Sequence, residues 1–126
     1  MATDNIRNGI TGIVSSADYT TTGQFRIGFV GASGWETVTG PTVRPDGVLA
    51  GCPNTGDPAK VYGVGDVAIV EAGAATTKGA LCTADASGRG VDTSAGTDEI
   101  VGRFLEAASG AGAQVRVYVT LSGTAA

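Results

Sequence analysis

The clearest alternation of hydrophobic and polar positions lies in residues 114–121, QVRVYVTL. One side of an extended chain would carry Val115, Val117, Val119 and Leu121, and the other side Gln114, Arg116, Tyr118 and Thr120. Strict alternation is typical of a strand with one buried face and one wet face, as in antiparallel sheets. We therefore predict a strand here, with the four aliphatic side chains in the core.

A second pattern organises the middle of the chain, residues 59–82, AKVYGVGDVAIVEAGAATTKGALC. Short runs of apolar and β-branched residues flank a tight turn at residues 63–66, and a loop that starts at Gly73 leads to another short apolar run. Such runs, bounded by glycine-rich turns, indicate strands. Comparable runs predict further strands at residues 25–30, 35–39, 47–52, 90–92 and 100–106, the first two joined as a hairpin by the turn GASG.

These elements predict an all-β domain, a small β-barrel or sandwich, over residues 25–126. Glycine supplies 21 of the 126 residues and shows no three-residue period, which fits a domain with many turns and excludes collagen. The proline-containing segment 40–46 predicts a boundary, with the main β unit beginning at about residue 47. Residues 1–24 lack regular alternation and are predicted to form an extended N-terminal arm.

The arm carries three spaced isoleucines, Ile6, Ile10 and Ile13, with glycines between them. Because so short a segment cannot bury them by itself, we predict that they contact an adjacent protomer or a larger partner through strand-like pairing. Deletion of residues 2–13 is accordingly expected to leave the β domain folded. Trp35 has two interpretations, a core residue or an anchor in such a contact, since tryptophan is enriched in binding hot spots.

The charge pattern narrows the range of partners. The formal net charge is −4 and the eight basic residues are scattered, so the sequence predicts no nucleic-acid partner. No apolar run is long enough for a membrane span, and the first residues do not resemble a secretory signal as written. Cys52 and Cys82 lack metal-site spacing, and we expect both to be small, buried hydrophobic residues in a reducing cytoplasm, with a disulfide between them as the alternative.

Candidate catalytic chemistry is sparse. The chain contains no histidine, which removes Ser-His-Asp and Cys-His arrangements, and its carboxylates lie in turns and polar loops. We predict no enzyme activity, no cofactor and no metal site. One alternative is a lipoyl- or biotinyl-like carrier domain that displays Lys78 on a hairpin. A second is a small sugar-binding β domain, which would need a pocket lined with acids and aromatic residues.

The stretch GDVAIVEAGAATTKGALCTADASGRGV, followed by EIVGRFLEAASGAGAQVRVYV, resembles small tailed-phage capsid decoration (cement) proteins. In that family a segment of the form G-D-x-v-x-v, a-G-a-x-i-x-x-G-x-x-l, x-x-d-x-x-G precedes x-i-v-G-x-a-l-e-a-a-x-x-G-x-x-v-x-V. The similarity covers about residues 60–121. Arg103 and Phe104 depart from it, because the family usually carries two small residues there.

The resemblance implies a β-tulip-like domain that sits on the exterior of an icosahedral phage capsid. A structural virion protein of this kind bridges neighbouring major capsid proteins, often as a homotrimer, and is assembled in the cytoplasm of the bacterial host. The expected contacts to the capsid or to another protomer are then Ile6, Ile10, Ile13 and Trp35.

Overall fold

A computed structural model describes residues 12–124, which contain nine strands and no helix. The strands are β1 (Ile27–Gly31), β2 (Gly34–Thr37), β3 (Gly47–Leu49), β4 (Val61–Tyr62), β5 (Val67–Glu71), β6 (Leu81–Ala84), β7 (Gly90–Asp92), β8 (Glu99–Phe104) and β9 (Gln114–Thr124). The first sheet has the order β2-β1-β3-β4 and the second has the order β5-β9-β8-β6-β7. The prediction of an all-β domain is confirmed, and the arrangement is a small sandwich rather than a closed barrel.

The predicted hairpin near the start of the domain is formed by β1 and β2, in which Val30 lies opposite Trp35. β1 begins at Ile27, because the preceding Phe25 has a φ of +63° and is therefore not in an extended conformation. Ile27 is fully buried, whereas Phe29 is only partly buried against the core. The strand predicted for residues 25–30 thus starts two residues later than its sequence pattern indicates.

The proline-containing segment 40–46 is a loop within one sheet. β3, which follows it, pairs with β1, which precedes it, with Ile27 opposite Val48 and Gly28 opposite Gly47. The chain on the two sides of this loop therefore forms a continuous hydrogen-bonded sheet rather than separate units.

β9 alternates as predicted over its first half, where Val115, Val117 and Val119 are buried. Leu121 is only partly buried, in contrast to the prediction. Between the pairs Ile100–Gly123 and Gly102–Val119, three residues of β9 oppose one residue of β8. This bulge places Leu121 at a φ of +47° and ends the regular alternation.

The core has two parts, on opposite faces of the first sheet. Val48 belongs to the large cluster between the two sheets, whereas the next residue, Leu49, belongs to a small cluster on the other face. Trp35 is the largest residue of the small cluster. A Cβ at Gly28 would come within 2.6 Å of the indole ring, so the ring can lie against β1 only because residue 28 is glycine.

Candidate interaction surface

The residues expected to contact a partner have different positions in the structure. Ile6 and Ile10 lie outside the described residues. Ile13 packs, partly buried, against the small cluster around Trp35. The Trp35 side chain is 0% exposed. Of its two interpretations, a core residue or an anchor in a contact, the structure therefore supports the core residue. The indole is therefore not available to a partner in this structure.

The second half of the predicted arm is bound to the β domain. We call residues 13–19 the strap. Isolated bridges join Val14 to Pro58 and Ser15 to Trp35. The backbone hydrogen bonds of the strap are Ala59 N to Ile13 O (2.9 Å), Trp35 N to Val14 O (2.8 Å), Ser15 N to Asp57 O (2.8 Å), Gly56 N to Ser15 O (2.9 Å), Ser16 N to Trp35 O (3.1 Å) and Tyr19 N to Pro53 O (2.8 Å).

The strap covers the small cluster on the face of the first sheet that points away from the second sheet. Ser15 is buried, and the Tyr19 hydroxyl accepts a hydrogen bond of 3.1 Å from the Thr37 backbone N–H. Gly34 makes this close approach possible. It has a φ of +125°, and a Cβ there would collide with the carbonyl oxygen of Val14. The outer face of the first sheet is therefore occupied by the chain itself.

The outer face of the second sheet is open along part of its width, although Thr83 of β6, on the same side as Leu81, is buried. One row of side chains crosses four of its strands, because Val67 pairs with Tyr118, Tyr118 pairs with Arg103 and Arg103 pairs with Leu81. Val67 is 46% exposed, and Tyr118 and Leu81 are each 40% exposed. We call these four residues the open row. Three of the large hydrophobic side chains that this domain leaves exposed are thus neighbours on one sheet.

Arg103 lies inside the open row, between Tyr118 and Leu81. It is exposed, and its guanidinium makes no hydrogen bond or ion pair with the described residues. Tyrosine and arginine are enriched in the centres of protein interfaces, where an aromatic ring adds apolar area and a guanidinium adds directed donors. The composition of the open row therefore resembles that of a protein-binding surface.

A neighbouring ion pair flanks the open row. Glu106 accepts hydrogen bonds from the backbone N–H of Arg116 at 2.9 Å and from its Nε at 3.3 Å. These bonds, the backbone one first, lower the pKa of the Glu106 carboxyl below its usual value. Both side chains are largely exposed, so solvent screens the pair and it adds little stability. Arg116 is thus already neutralised, whereas Arg103 has no partner among residues 12–124.

A second charge cluster connects the two sheets. Arg26, just before β1, lies 3.5 Å from the carboxylate of Glu71 at the end of β5, and Arg89 lies 3.7 Å from the same carboxylate. Arg89 also lies 3.6 Å from Asp85. Two guanidinium groups and two carboxylates balance each other. The arrangement is therefore suited to holding β1 against the second sheet rather than to binding a charged ligand.

Both cysteines are free, but the prediction that both are buried is wrong for Cys52. Cys52 is exposed and Cys82 is buried. Burial, together with the nearby charge of Asp92, strongly raises the pKa of the Cys82 thiol. Because the thiolate is the reactive form, the Cys82 sulfur is inert in the folded protein.

Lys78 is exposed in the loop between β5 and β6. Those two strands are separated by β9 and β8 in the sheet, so the loop is a crossover connection and not the turn of a hairpin. This position differs from the hairpin display that a lipoyl- or biotinyl-like carrier would need.

Two surface grooves bear on the sugar-binding alternative. The first, of about 260 Å³, is lined by Arg44, Pro45, Asp46, Val64, Glu99, Ile100, Leu121 and Gly123. The second, of about 360 Å³, is lined by Gly51, Cys52, Pro53, Asp57, Pro58 and Lys60. Neither lining contains an aromatic residue on which a sugar ring could stack. Both grooves contain acidic residues but lack the aromatic residues that a sugar site was expected to have.

Within residues 12–124, no three His, Cys, Asp or Glu side chains are grouped so that they could hold a metal ion. The same part of the chain has no helix that is both long and apolar enough to cross a membrane.

The sequence did not predict the open row, although it correctly placed some of its members in strands. The alternation of β9 correctly points Tyr118 outward, and the pattern of β5 alternates as expected. The row also depends on β9 and β8 lying between β5 and β6, an order that the sequence does not display. The unpaired exposed arginine in an otherwise apolar strand, IVGRF, is the signal that could have drawn attention to it.

Comparison of the chain with models of protein families and with curated proteins found no match.

Proposed function

We propose that this protein is a structural virion protein that binds the outer surface of an icosahedral phage capsid and bridges neighbouring major capsid proteins. One observation carries the proposal. The segment that resembles capsid decoration proteins, about residues 60–121, supplies the five strands of the second sheet, and the outer face of this sheet bears the open row. The part of the chain that carries the resemblance is thus also the part that offers a surface to a partner.

The shape of the open face favours a protein partner over a small molecule. Small ligands bind in concave pockets that bury most of their surface. Five strands about 4.8 Å apart and about five residues long make a sheet face of roughly 400 Å². A stable protein interface buries about 800 Å² on each partner, so this face alone would support only weak binding.

Weak individual contacts are sufficient for a capsid-bound protein when several act together. In a homotrimer, three equivalent surfaces would engage the shell at once, and the second and third contacts would form at a high effective concentration. We propose the major capsid protein as the partner, the capsid exterior as the location and the bacterial cytoplasm as the place of assembly. The net charge of −4 fits an exterior position without contact to the packaged genome.

The test is co-sedimentation of the full chain with expanded empty shells assembled from the major capsid protein encoded in the same genome. We expect saturable binding, with a fixed number of copies per capsid protein, and a higher denaturation temperature for decorated shells. Unexpanded shells of the same protein provide the control for surface geometry. Absence of saturable binding at about 100 μM protein, which corresponds to less than about 5.5 kcal/mol of binding free energy, would refute the proposal.

A further inference from the structure

The first sheet has its outer face covered by the strap, whereas the second sheet has no such cover in the described chain. Residues 1–11 lie outside the described residues and contain Ile6 and Ile10. We propose that residues 1–11 of one copy pack across the open row of a second copy. This inference concerns contact between copies. Because the proposed capsid function uses the same face, the two contacts compete for the open row, and the experiments below measure them separately.

The spacing of the two isoleucines matches the width of the open row. From Val67 to Leu81 the row crosses three strand spacings, or about 14 Å at about 4.8 Å each. In an extended chain, Ile6 and Ile10 point to the same side and are about 13 Å apart, at about 3.3 Å per residue. The two isoleucines can therefore contact the two aliphatic ends of the row at the same time.

The polar positions match as well. Asn8 lies midway between Ile6 and Ile10 and shares their side of an extended chain. Opposite it, in the middle of the open row, are Tyr118 and Arg103, whose guanidinium has no partner in the described part of the chain. The amide oxygen of asparagine accepts hydrogen bonds, and arginine only donates them. The pattern aliphatic–amide–aliphatic on the segment thus complements the pattern aliphatic–polar–aliphatic on the sheet.

The short distance that Ile10 can span from Ile13 requires that the occupied row belong to another copy. Ile13 is fixed in the small cluster, on the side of the first sheet that points away from the second sheet. Ile10 is three residues away and can lie at most about 11 Å from Ile13. The outer side chains of the second sheet are at least one sheet spacing of about 10 Å plus the length of a side chain, or about 15 Å, from the first sheet. Ile10 therefore cannot reach the row of its own chain.

A contact between one segment and a different surface of the next copy has a consequence for symmetry. Two copies can exchange segments reciprocally about a twofold axis, or several copies can pass them around a closed ring. In either arrangement each copy both gives a segment and receives one. The contact would therefore saturate in a closed oligomer rather than an open filament.

Disulfide crosslinking between two differently marked copies tests the contact. Both copies carry Cys52→Ser, which removes the exposed thiol, while Cys82 stays because it is buried. One copy carries Ile6→Cys or Ile10→Cys, and the other carries Val67→Cys or Leu81→Cys. After mild oxidation, we expect two of the four combinations to form the mixed disulfide efficiently, namely the two that belong to one direction of the segment across the row.

The matched control places the second cysteine at Thr39, which is exposed in the loop after β2 and outside the open row. If none of the four combinations exceeds the Thr39→Cys control, the proposal is wrong. A second experiment uses single chains that carry one cysteine in the segment and one in the open row. A ring closed within one chain, seen as a crosslinked monomer by intact mass, would refute the assignment to a second copy.

Sedimentation equilibrium of the full chain measures the strength of self-association. Replacing Arg103 by alanine removes the donors opposite Asn8 and supplies no acceptor for its amide N–H groups, so we expect self-association to weaken tenfold or more. Lys78→Ala makes the same charge change on an exposed loop and should leave association unaltered. Unchanged association of the Arg103 variant, or a wild-type chain that is monomeric at all concentrations, would overturn the proposal. Binding to capsid shells in these variants reports separately on the proposed function.

Discussion

Replacing Gly34 by alanine should release the strap from the β domain. Gly34 has a φ of +125°, which side-chain-bearing residues rarely adopt, and its added Cβ would collide with the carbonyl oxygen of Val14. The colliding atom belongs to the backbone, so no side-chain rotation can relieve the contact. Either the hairpin turn or the strap has to move.

The magnitude follows from two contributions. A non-glycine residue held in such a backbone conformation costs about 1–3 kcal/mol. Moving the strap also breaks the hydrogen bonds from Trp35 N to Val14 O and from Ser16 N to Trp35 O, at about 1 kcal/mol each. We therefore expect the free energy of unfolding to fall by about 3–5 kcal/mol.

Two other glycines separate the contributions. Gly79 and Gly112 have φ values of +87° and +88°, and an added Cβ at either position meets nothing within 4 Å. Alanine at these positions incurs the backbone cost alone, about 1–2 kcal/mol. Urea denaturation of the three variants shows by how much the loss at position 34 exceeds the backbone cost of a φ near +90°.

Hydrogen exchange shows where the change occurs. In the Gly34→Ala variant, we expect faster exchange at the amides of Trp35 and Ser16, whose hydrogen bonds join the strap to the hairpin, and unchanged exchange along β9. If Gly34→Ala costs no more than the two control substitutions, or if these two amides keep their protection, the collision is not what requires glycine at this position.

Two further predictions concern the core and the thiols. Val117→Asp buries an unpaired carboxylate in the middle of β9 and should lower the free energy of unfolding by more than about 3 kcal/mol, whereas Arg116→Asp on the exposed side should cost far less; equal melting temperatures would contradict the assigned faces. A thiol reagent should modify Cys52 in the native protein and Cys82 only after unfolding, because burial raises the pKa of the Cys82 thiol and keeps it protonated well above neutral pH; rapid modification of both residues would contradict the burial of Cys82.

The strands were predictable where the local sequence alone determines the positions and faces of their residues. In β9 and β5, alternation at every second residue matches the pleat of a sheet with one covered face, and glycine-rich turns mark where each strand ends. The exception, Leu121, lies in β9 itself. Leu121 fails to follow the alternation because a bulge in β9 changes its backbone conformation, and a bulge depends on the partner strand rather than on the strand that contains it.

The docking of the strap was not predictable, because its partners are distant in sequence. Ser15 bonds to Asp57, and Val14 bonds to Trp35, through backbone atoms that every residue type possesses. Its only sequence signs are a glycine at position 34 and a tryptophan after it, and each has several common explanations. For the same reason, the expected arm of residues 1–24 reads as one segment in the sequence, although its second half belongs to the β domain.

The strap also determines what the preceding residues can do. By fixing Ile13 on one side of the first sheet, it limits Ile10 to a radius of about 11 Å around that point. If the chain were held to the β domain only from about residue 20 onward, Ile10 could lie up to about 35 Å from that point, enough to reach the open row of the same chain. The hydrogen bonds of the strap, and the glycine at position 34 that permits them, therefore favour contact between copies over contact within one copy. Under the proposed contact, anchoring the chain at Ile13 is what directs the isoleucines before it to a neighbouring copy.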